Sequence, residues 1–306
     1  MNKVVITPQG FAFVKDSVSQ FFDAGNQYTM TNGIVSDQKK LKNILSDAHA
    51  VIIGSEKIDR VTLDSAKKLR LIVRFGTTTE NIDVNYAQEK GIKVYSIKSK
   101  FTVAGVGRLC MSFLLNYSFN IQKHISDARL GDWTRYMNMS PANTTVGLVG
   151  AGDIAYEFLQ QGQNLGFRFV YHSRKPNKAF ADLGAKFYVN LSDLIKDSHA
   201  VSLHVPLNES TQNLINPDLL ALFKGKLLIN TSRAGVVDQE KLREMIFSNP
   251  TFFYFTDVLG TEPPGAEDIE LIKRSNVLSS AHIGGYSYDA LVDVAKQSLD
   301  IIRREL

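Results

Sequence analysis

Cysteine is almost missing from this sequence. Cys110 is the only one in 306 residues, so no disulfide can form within the chain. It lies in the apolar run GRLCMSFLL. There a buried small hydrophobe is expected, and no local activating group marks a nucleophile. Long apolar runs are missing too. None reaches the ~18 residues of a membrane span, and the opening MNKVVITPQGF has no apolar stretch of the kind a secretory signal carries. Dense basic blocks are absent. The net charge of +4 comes from Lys and Arg interspersed with Asp and Glu, which argues against a nucleic-acid footprint. No metal site, membrane partner or nucleic-acid partner is expected. The expectation is a cytoplasmic enzyme or binding protein acting on a small molecule.

What is present is a repeated alternation. In the first hundred residues, KVVIT, AHAVIIGS, LRLIVRF and IKVYSI read as strands. SVSQFFDAG, DQKKLKNILSDA, TLDSAKK and DVNYAQEKG read as helices between them. A long helical run, apolar around much of its circumference, comes next at 102–123, suited to burial or to packing on a second subunit. LGDWTRYMNMSPANT reads as an irregular connector. A second series then begins, with TTVGLVG, FRFVYHS, AKFYV, AVSLHVP, KLLINTS, FFYFTDV and NVLSSAH as strands. Strands alternating with helices indicate parallel sheets and an α/β fold. The last stretch, YSYDALVDVAKQSLDIIRREL, is an amphipathic helix that can return to the first unit.

The most informative local pattern is TTVGLVGAGDIAYEFLQQ. A strand ends at Gly150-Ala151-Gly152 and a helix opens at once. Gly150 permits the tight turn, Gly152 lets backbone approach a pyrophosphate, and Ala155 allows close helix–strand packing. Asp153 and Ile154 begin the helix whose N–H groups would meet phosphate. About 20 residues on, an acidic residue would hold a ribose 2′-hydroxyl. Here no carboxylate occurs between Phe167 and Ala181. The positions are His172, Ser173, Arg174 and Lys175, a hydroxyl and two cations suited to an adenosine 2′-phosphate. The expected cofactor is NADP, with NAD as the second choice. A solvated basic loop is the plain alternative.

Downstream stand HVPLNESTQNLINPDLLALFKGKLLINTSRAGVVDQEKL, TDVLGTEP and AHIGG, and upstream VRFGTTTENIDVNYAQEKGIKV. In this order and spacing the sequence resembles the D-isomer-specific 2-hydroxyacid dehydrogenases, the family of glycerate, hydroxypyruvate and phosphoglycerate dehydrogenases. The resemblance implies two doubly wound parallel-sheet domains. A flavodoxin-like substrate domain, discontinuous, would take residues 1–100 and 284–306, and a Rossmann-type dinucleotide domain residues 101–283. It implies a homodimer. It implies catalytic roles for Arg233, Glu262 and His282: carboxylate grip, histidine partner and general acid/base. Further cofactor contacts would come from His204, Val205, Pro206, Thr211, Thr231, Ser232, Asp257 and Gly284. Substrate contacts would come from Arg74, Phe75, Gly76 and Thr77, with Arg233 and His282.

The residue types suit the chemistry. Reducing a 2-keto acid needs a proton on oxygen, and histidine titrates nearest neutrality. A carboxylate beside it favours the imidazolium. A guanidinium grips a carboxylate with two parallel bonds. Taken singly, each has a structural alternative: an ion pair for Arg233 or Arg74, a core histidine, a surface glutamate. The expected function is an NADPH-preferring oxidoreductase acting on a small 2-keto or D-2-hydroxy acid of the glyoxylate or hydroxypyruvate type. Two other readings share the scaffold: a dinucleotide-sensing module of the corepressor type, and a phosphite- or formate-type dehydrogenase.

Overall fold

The computed structural model describes residues 1–306 other than Asn32, Ile34 and Ser36. The chain forms two compact units. One comprises Met1–Thr102 with Gly285–Leu306, the other Val103–Gly284.

The first unit holds a five-stranded sheet of β1 (Asn2–Ile6), β2 (Asn26–Met30), β3 (Ala50–Ile53), β4 (Leu71–Arg74) and β5 (Lys93–Ser96). All pairings are parallel and the order is β2-β1-β3-β4-β5. That is the flavodoxin-like order. Side chains alternate strictly between its faces. Ala50 and Ile52 enter one core with Val4, Ile6, Leu71 and Val73, while Val51 and Ile53 enter the other with Val5 and Ile72. The helix Tyr288–Glu305 covers the first face through Leu291, Val294, Leu299 and Ile302. Helices start where Asp37, Asp59, Asp83 and Ser287 accept backbone N–H groups as N-caps.

The second unit holds β6 (Thr145–Val149), β7 (Arg168–His172), β8 (Lys186–Phe187), β9 (Ala200–Leu203), β10 (Leu227–Asn230), β11 (Phe253–Thr256) and β12 (Val277–Ser279). The order is β12-β11-β10-β9-β6-β7-β8, again all parallel. The chain runs outward from β6 to β8, then crosses back to β9 and runs the other way. The order therefore reverses between β6 and β9, the switch point where open α/β sheets bind ligands. Phe169 and Tyr171 pack in one core, with Leu227 and Ile229, and Val170 and Leu228 in the other.

Three local expectations change. β2 is a strand where none was expected: NQYTM is polar, alternately half-buried and exposed, because it lies at the sheet edge. SVSQFF forms a short 3₁₀ segment, Asp16–Phe21, rather than an α-helix. The long apolar helix ends at Ser118, and a second one, Ile121–Arg129, begins after Asn120 in left-handed conformation at φ 50°. Among the described residues no helix is long and apolar enough to cross a membrane, and no group of three or more His, Cys, Asp or Glu is placed to hold a metal ion.

Helix–sheet contact in the second unit is close enough to need glycine. A Cβ on Gly162, within the helix Asp153–Asn164, would stand 2.3 Å from Phe169 Cζ and 3.1 Å from Met111 Cε. Phe169 is itself buried and packed edge-on to Phe158. Gly162→Ala gains about 1 kcal/mol of helix propensity but overpacks the core at roughly 1–3 kcal/mol or more. We expect a net loss of stability, read as a lower urea midpoint at unchanged slope; a raised midpoint would mean the ring gives way freely.

Candidate active site at the sheet edge

Parallel strands place all their carboxyl ends on one edge, and the expected site residues of the second unit lie at those ends or in the segments that follow them. Gly150 follows β6. Its backbone lies at φ 103°, and an added Cβ would come within 2.5 Å of His204 O and 3.1 Å of Val205 Cγ1. Both the angle and the space demand glycine. Gly150 N donates to His172 O (2.8 Å) and His204 N to Val149 O (2.8 Å), so the turn is tied to the ends of β7 and β9.

Gly152 is different: an added Cβ there would meet nothing within 4 Å. It stands as N-cap of the helix Asp153–Asn164, without a side-chain cap bond. The helix start offers N–H groups and open space, which suits a pyrophosphate. The residues present thus fit a nicotinamide dinucleotide.

At the end of β7, His172 Nδ1 donates to Tyr188 O at 3.0 Å, which ties its ring to the chain beyond β8. Ser173 Oγ donates to Lys175 O at 2.6 Å. Its single proton is thus used to close the loop, leaving the exposed Arg174 and Lys175 as the cations offered outward. After β9, Thr211 Oγ1 donates to Pro206 O (2.5 Å) and accepts from Asn208 N (2.9 Å), which closes the 206–211 loop. Burial holds the His204 imidazole down to about 3, so it is neutral at ordinary pH. Its Nε2 is buried without a hydrogen-bond partner, the one such side-chain atom among the described residues.

After β10 the turn Thr231-Ser232-Arg233 is shaped by Asn230, which is fully buried. Its Oδ1 accepts from Ser232 N (3.0 Å) and Ser232 Oγ (2.9 Å), and its Nδ2 donates to Arg233 O (3.0 Å). Arg233 Nη1 donates to Ser232 O at 2.7 Å. Thr231 Oγ1 lies 3.2 Å from Cys110 Sγ. Burial pushes that thiol up to about 11, so Cys110 stays protonated and packs as a small apolar group.

After β11 and β12 come Asp257, Glu262 and His282. His282 Nδ1 and Glu262 Oε2 are 2.7 Å apart. Glu262 Oε1 accepts from Leu259 N at 3.3 Å. Burial raises the Glu262 carboxyl, but the His282 bond and charge, the Leu259 N–H and the Arg233 charge outweigh it and leave it below its ordinary value. His282 adopts φ 54°, uncommon for a residue with a side chain. Asp257 holds the chain on both sides of His282, through a side-chain hydroxyl before it and backbone N–H groups after it. Its Oδ1 accepts from Ser280 Oγ (2.6 Å) and Ile283 N (2.8 Å), and its Oδ2 from Gly284 N (2.9 Å). The carboxylate is largely spent inside the protein, with lone-pair capacity left on Oδ2.

In the first unit, Phe75-Gly76-Thr77 follows β4. Gly76 lies at φ 150°, and its missing Cβ would meet Arg74 Nη1 at 2.8 Å. Arg74 Nη1 donates to Phe75 O (2.6 Å) and Nε to Asn81 Oδ1 (3.3 Å), while Asn81 Nδ2 donates to Gly54 O and Glu56 O. These contacts make Arg74 a brace under the loop. Thr77 Oγ1 donates to Ile97 O at 3.4 Å.

Sequence reasoning missed Asn230 and Asn81. Both bond to backbone atoms, so no motif advertises them; the only signal was an asparagine beside a loop of interest.

Residues 111–284 match the family model described as D-isomer specific 2-hydroxyacid dehydrogenase, NAD binding domain. A hydroxypyruvate reductase of Thermotoga maritima is 31% identical over 275 residues, covering 88% of this chain and 89% of that protein. A glyoxylate reductase of Thermococcus litoralis is 31% identical over 258 residues, covering 80% and 76%. A phosphoglycerate oxidoreductase structure from Vibrio cholerae superimposes with a TM-score of 0.89 at 23% identity, over 99% of this chain and 98% of that one, which shows the fold. The chain belongs to the D-isomer-specific 2-hydroxyacid dehydrogenase family and is an oxidoreductase with an NAD-binding domain.

Proposed function

We propose that the protein reduces a small 2-keto acid to the D-2-hydroxy acid with NADPH as the preferred cofactor. The observation that carries the catalytic part is the 2.7 Å pair of His282 and Glu262, with the Arg233 charge felt at the same carboxylate. Three adjacent strands of one sheet deliver these groups from the same edge. The names of relatives, a hydroxypyruvate reductase and a glyoxylate reductase, support a two- or three-carbon keto acid.

The residues divide the work. Arg233 binds the substrate carboxylate and polarises the neighbouring carbonyl. Glu262 holds Nδ1 of His282, which leaves Nε2 as the nitrogen that gives its proton to the keto oxygen. The same bond fixes the orientation of the ring. Bound nicotinamide supplies the hydride. Within the first unit, Arg74 braces the Phe75–Thr77 loop through Phe75 O and Asn81. Arg174 and Lys175 supply the charge that would favour a 2′-phosphate over a bare ribose.

A homodimer fits a band of exposed apolar side chains on 119–137. It includes Leu130, Trp133 and Met137, which are 83%, 78% and 93% exposed. Patches of this kind mark interaction surfaces.

Initial rates with glyoxylate, hydroxypyruvate and pyruvate test the substrate and cofactor together. We expect kcat/KM to be at least about tenfold higher with NADPH, the factor that corresponds to ~1.4 kcal/mol; equal or better rates with NADH would reject the preference. His282→Ala should lower kcat by about 10²–10⁴-fold while cofactor affinity survives, and a near-normal rate would remove His282 from the proton transfer.

Glu262→Gln tests the pairing. The amide keeps the shape of the side chain but loses the charge-assisted bond to His282 Nδ1. We expect kcat to fall by about tenfold, the scale of a hydrogen bond to a charged group, while cofactor affinity survives. A near-normal kcat would mean that Glu262 does not hold the proton donor.

A further inference from the structure

We propose that Asn177 is a specificity-positioning residue: its side chain ties the basic loop after β7 to the glycine turn, and so fixes where Arg174 and Lys175 present their charge. The inference rests on the 2′-phosphate reading and adds to it the part that makes two flexible cations selective.

Four bonds of Asn177 define the tie, two from its side chain and two from its backbone. Asn177 Nδ2 donates to Ala151 O at 3.2 Å, in the middle of the Gly150–Gly152 turn. Asn177 Oδ1 accepts from Ala179 N at 3.0 Å and caps the helix Lys178–Asp182. The two partners are a carbonyl and an N–H, so the amide can face only one way. The backbone of Asn177 is gripped separately. Its N donates to the Tyr171 hydroxyl at 2.9 Å, and that hydroxyl donates to Asn177 O at 3.2 Å. Tyr171 is buried and packs on Phe180 and Phe187. The loop is thus anchored at its far end to the core, to the next helix and to the turn that would carry the pyrophosphate. Ser173 Oγ closes it internally on Lys175 O.

The consequence is a fixed spacing. In an NADP molecule the 2′-phosphate and the pyrophosphate are separated by one ribose. A protein that recognises both must hold two loops at one distance. Exposed Arg and Lys side chains lose much of their charge–charge gain to solvent and to their own disorder. A tethered loop returns some of it by preorganisation. Asn177 joins the two loops directly, with the only side chain between Ser173 and Lys178 that bonds to the glycine turn among the described hydrogen bonds.

Asn177→Ser tests this, since serine caps helices about as well as asparagine but lacks the amide that reaches Ala151. Dissociation constants for NADPH and NADH are measured by fluorescence titration on the full chain, beside Arg174→Ala and with thermal unfolding as a fold check. We expect the NADPH constant to rise about five- to tenfold, the scale of one hydrogen bond, with less than a twofold change for NADH. An unchanged NADPH constant in Asn177→Ser, while Arg174→Ala weakens NADPH alone, overturns the role of Asn177 and leaves the cofactor reading standing. Equal weakening of both cofactors makes Asn177 a general scaffold and also overturns the specificity role. If Arg174→Ala changes neither cofactor, or wild type does not favour NADPH, the cofactor reading falls and this inference with it. Should Asn177→Ser not fold, Asn177→Asp, an equally good cap that cannot donate to Ala151 O, carries the same titration; unchanged NADPH affinity there again overturns the proposal.

Discussion

Strand direction is the constraint on which the second unit depends. Because its strands all run parallel, each delivers its next residues to one edge, and none can deliver them to the other. The reversal of order between β6 and β9 opens that edge at one place. Gly150 sits there, pressed against His204 O so closely that no side chain fits. The crossing of strands and the absence of a side chain are one fact: the first brings two backbones together and the second allows it. The neighbours on either side are set by sheet order. β10, β11 and β12 bring Arg233, Glu262 and His282; β7 brings the basic loop.

Buried polar groups then convert strand ends into a fixed geometry. Asn230, Thr256 and Asp257 are all buried, and all bond to neighbouring turns. Burying a carboxylate such as Asp257 is costly unless it is well satisfied. Two backbone N–H groups and a hydroxyl supply what water would have supplied. The left-handed backbone of His282 costs of order 1–3 kcal/mol, and such conformations persist where surrounding bonds over-determine them. The bonds from Ile283 and Gly284 to Asp257 are of that kind.

Much of this was legible in the sequence, for physical reasons. Buried parallel strands are short apolar runs, so LLIN, AVII and FYFT stand out, whereas NQYTM does not, since an edge strand needs apolar side chains at few positions. The break at Asn120 was hidden because apolar residues continue on both sides of it. Arg233, Glu262 and His282 could be named because their chemistry is specific to their side chains and a family pattern surrounds them. Asn81, Asn177 and Asn230 could not. An amide that bonds to a distant carbonyl or N–H has a partner present at every position of the chain, and nothing in the sequence says which. The Ser173 hydroxyl shows the same limit: its residue type suggested an anion donor, while the folded loop uses its proton internally.

The clamp at Asp257 has a mechanical side. The second unit ends at Gly284, and the bond from Gly284 N to Asp257 is made on that last residue. Glu262 and Asp257 both extend from β11, so the anchor of the outgoing chain and the partner of His282 share one support. Along the chain, the bonds of Gly284 N and Ile283 N to Asp257 lie between His282 and the segment that leaves the unit, so the catalytic histidine is followed at once by two anchored residues, as a solder joint is followed by a cable fitting.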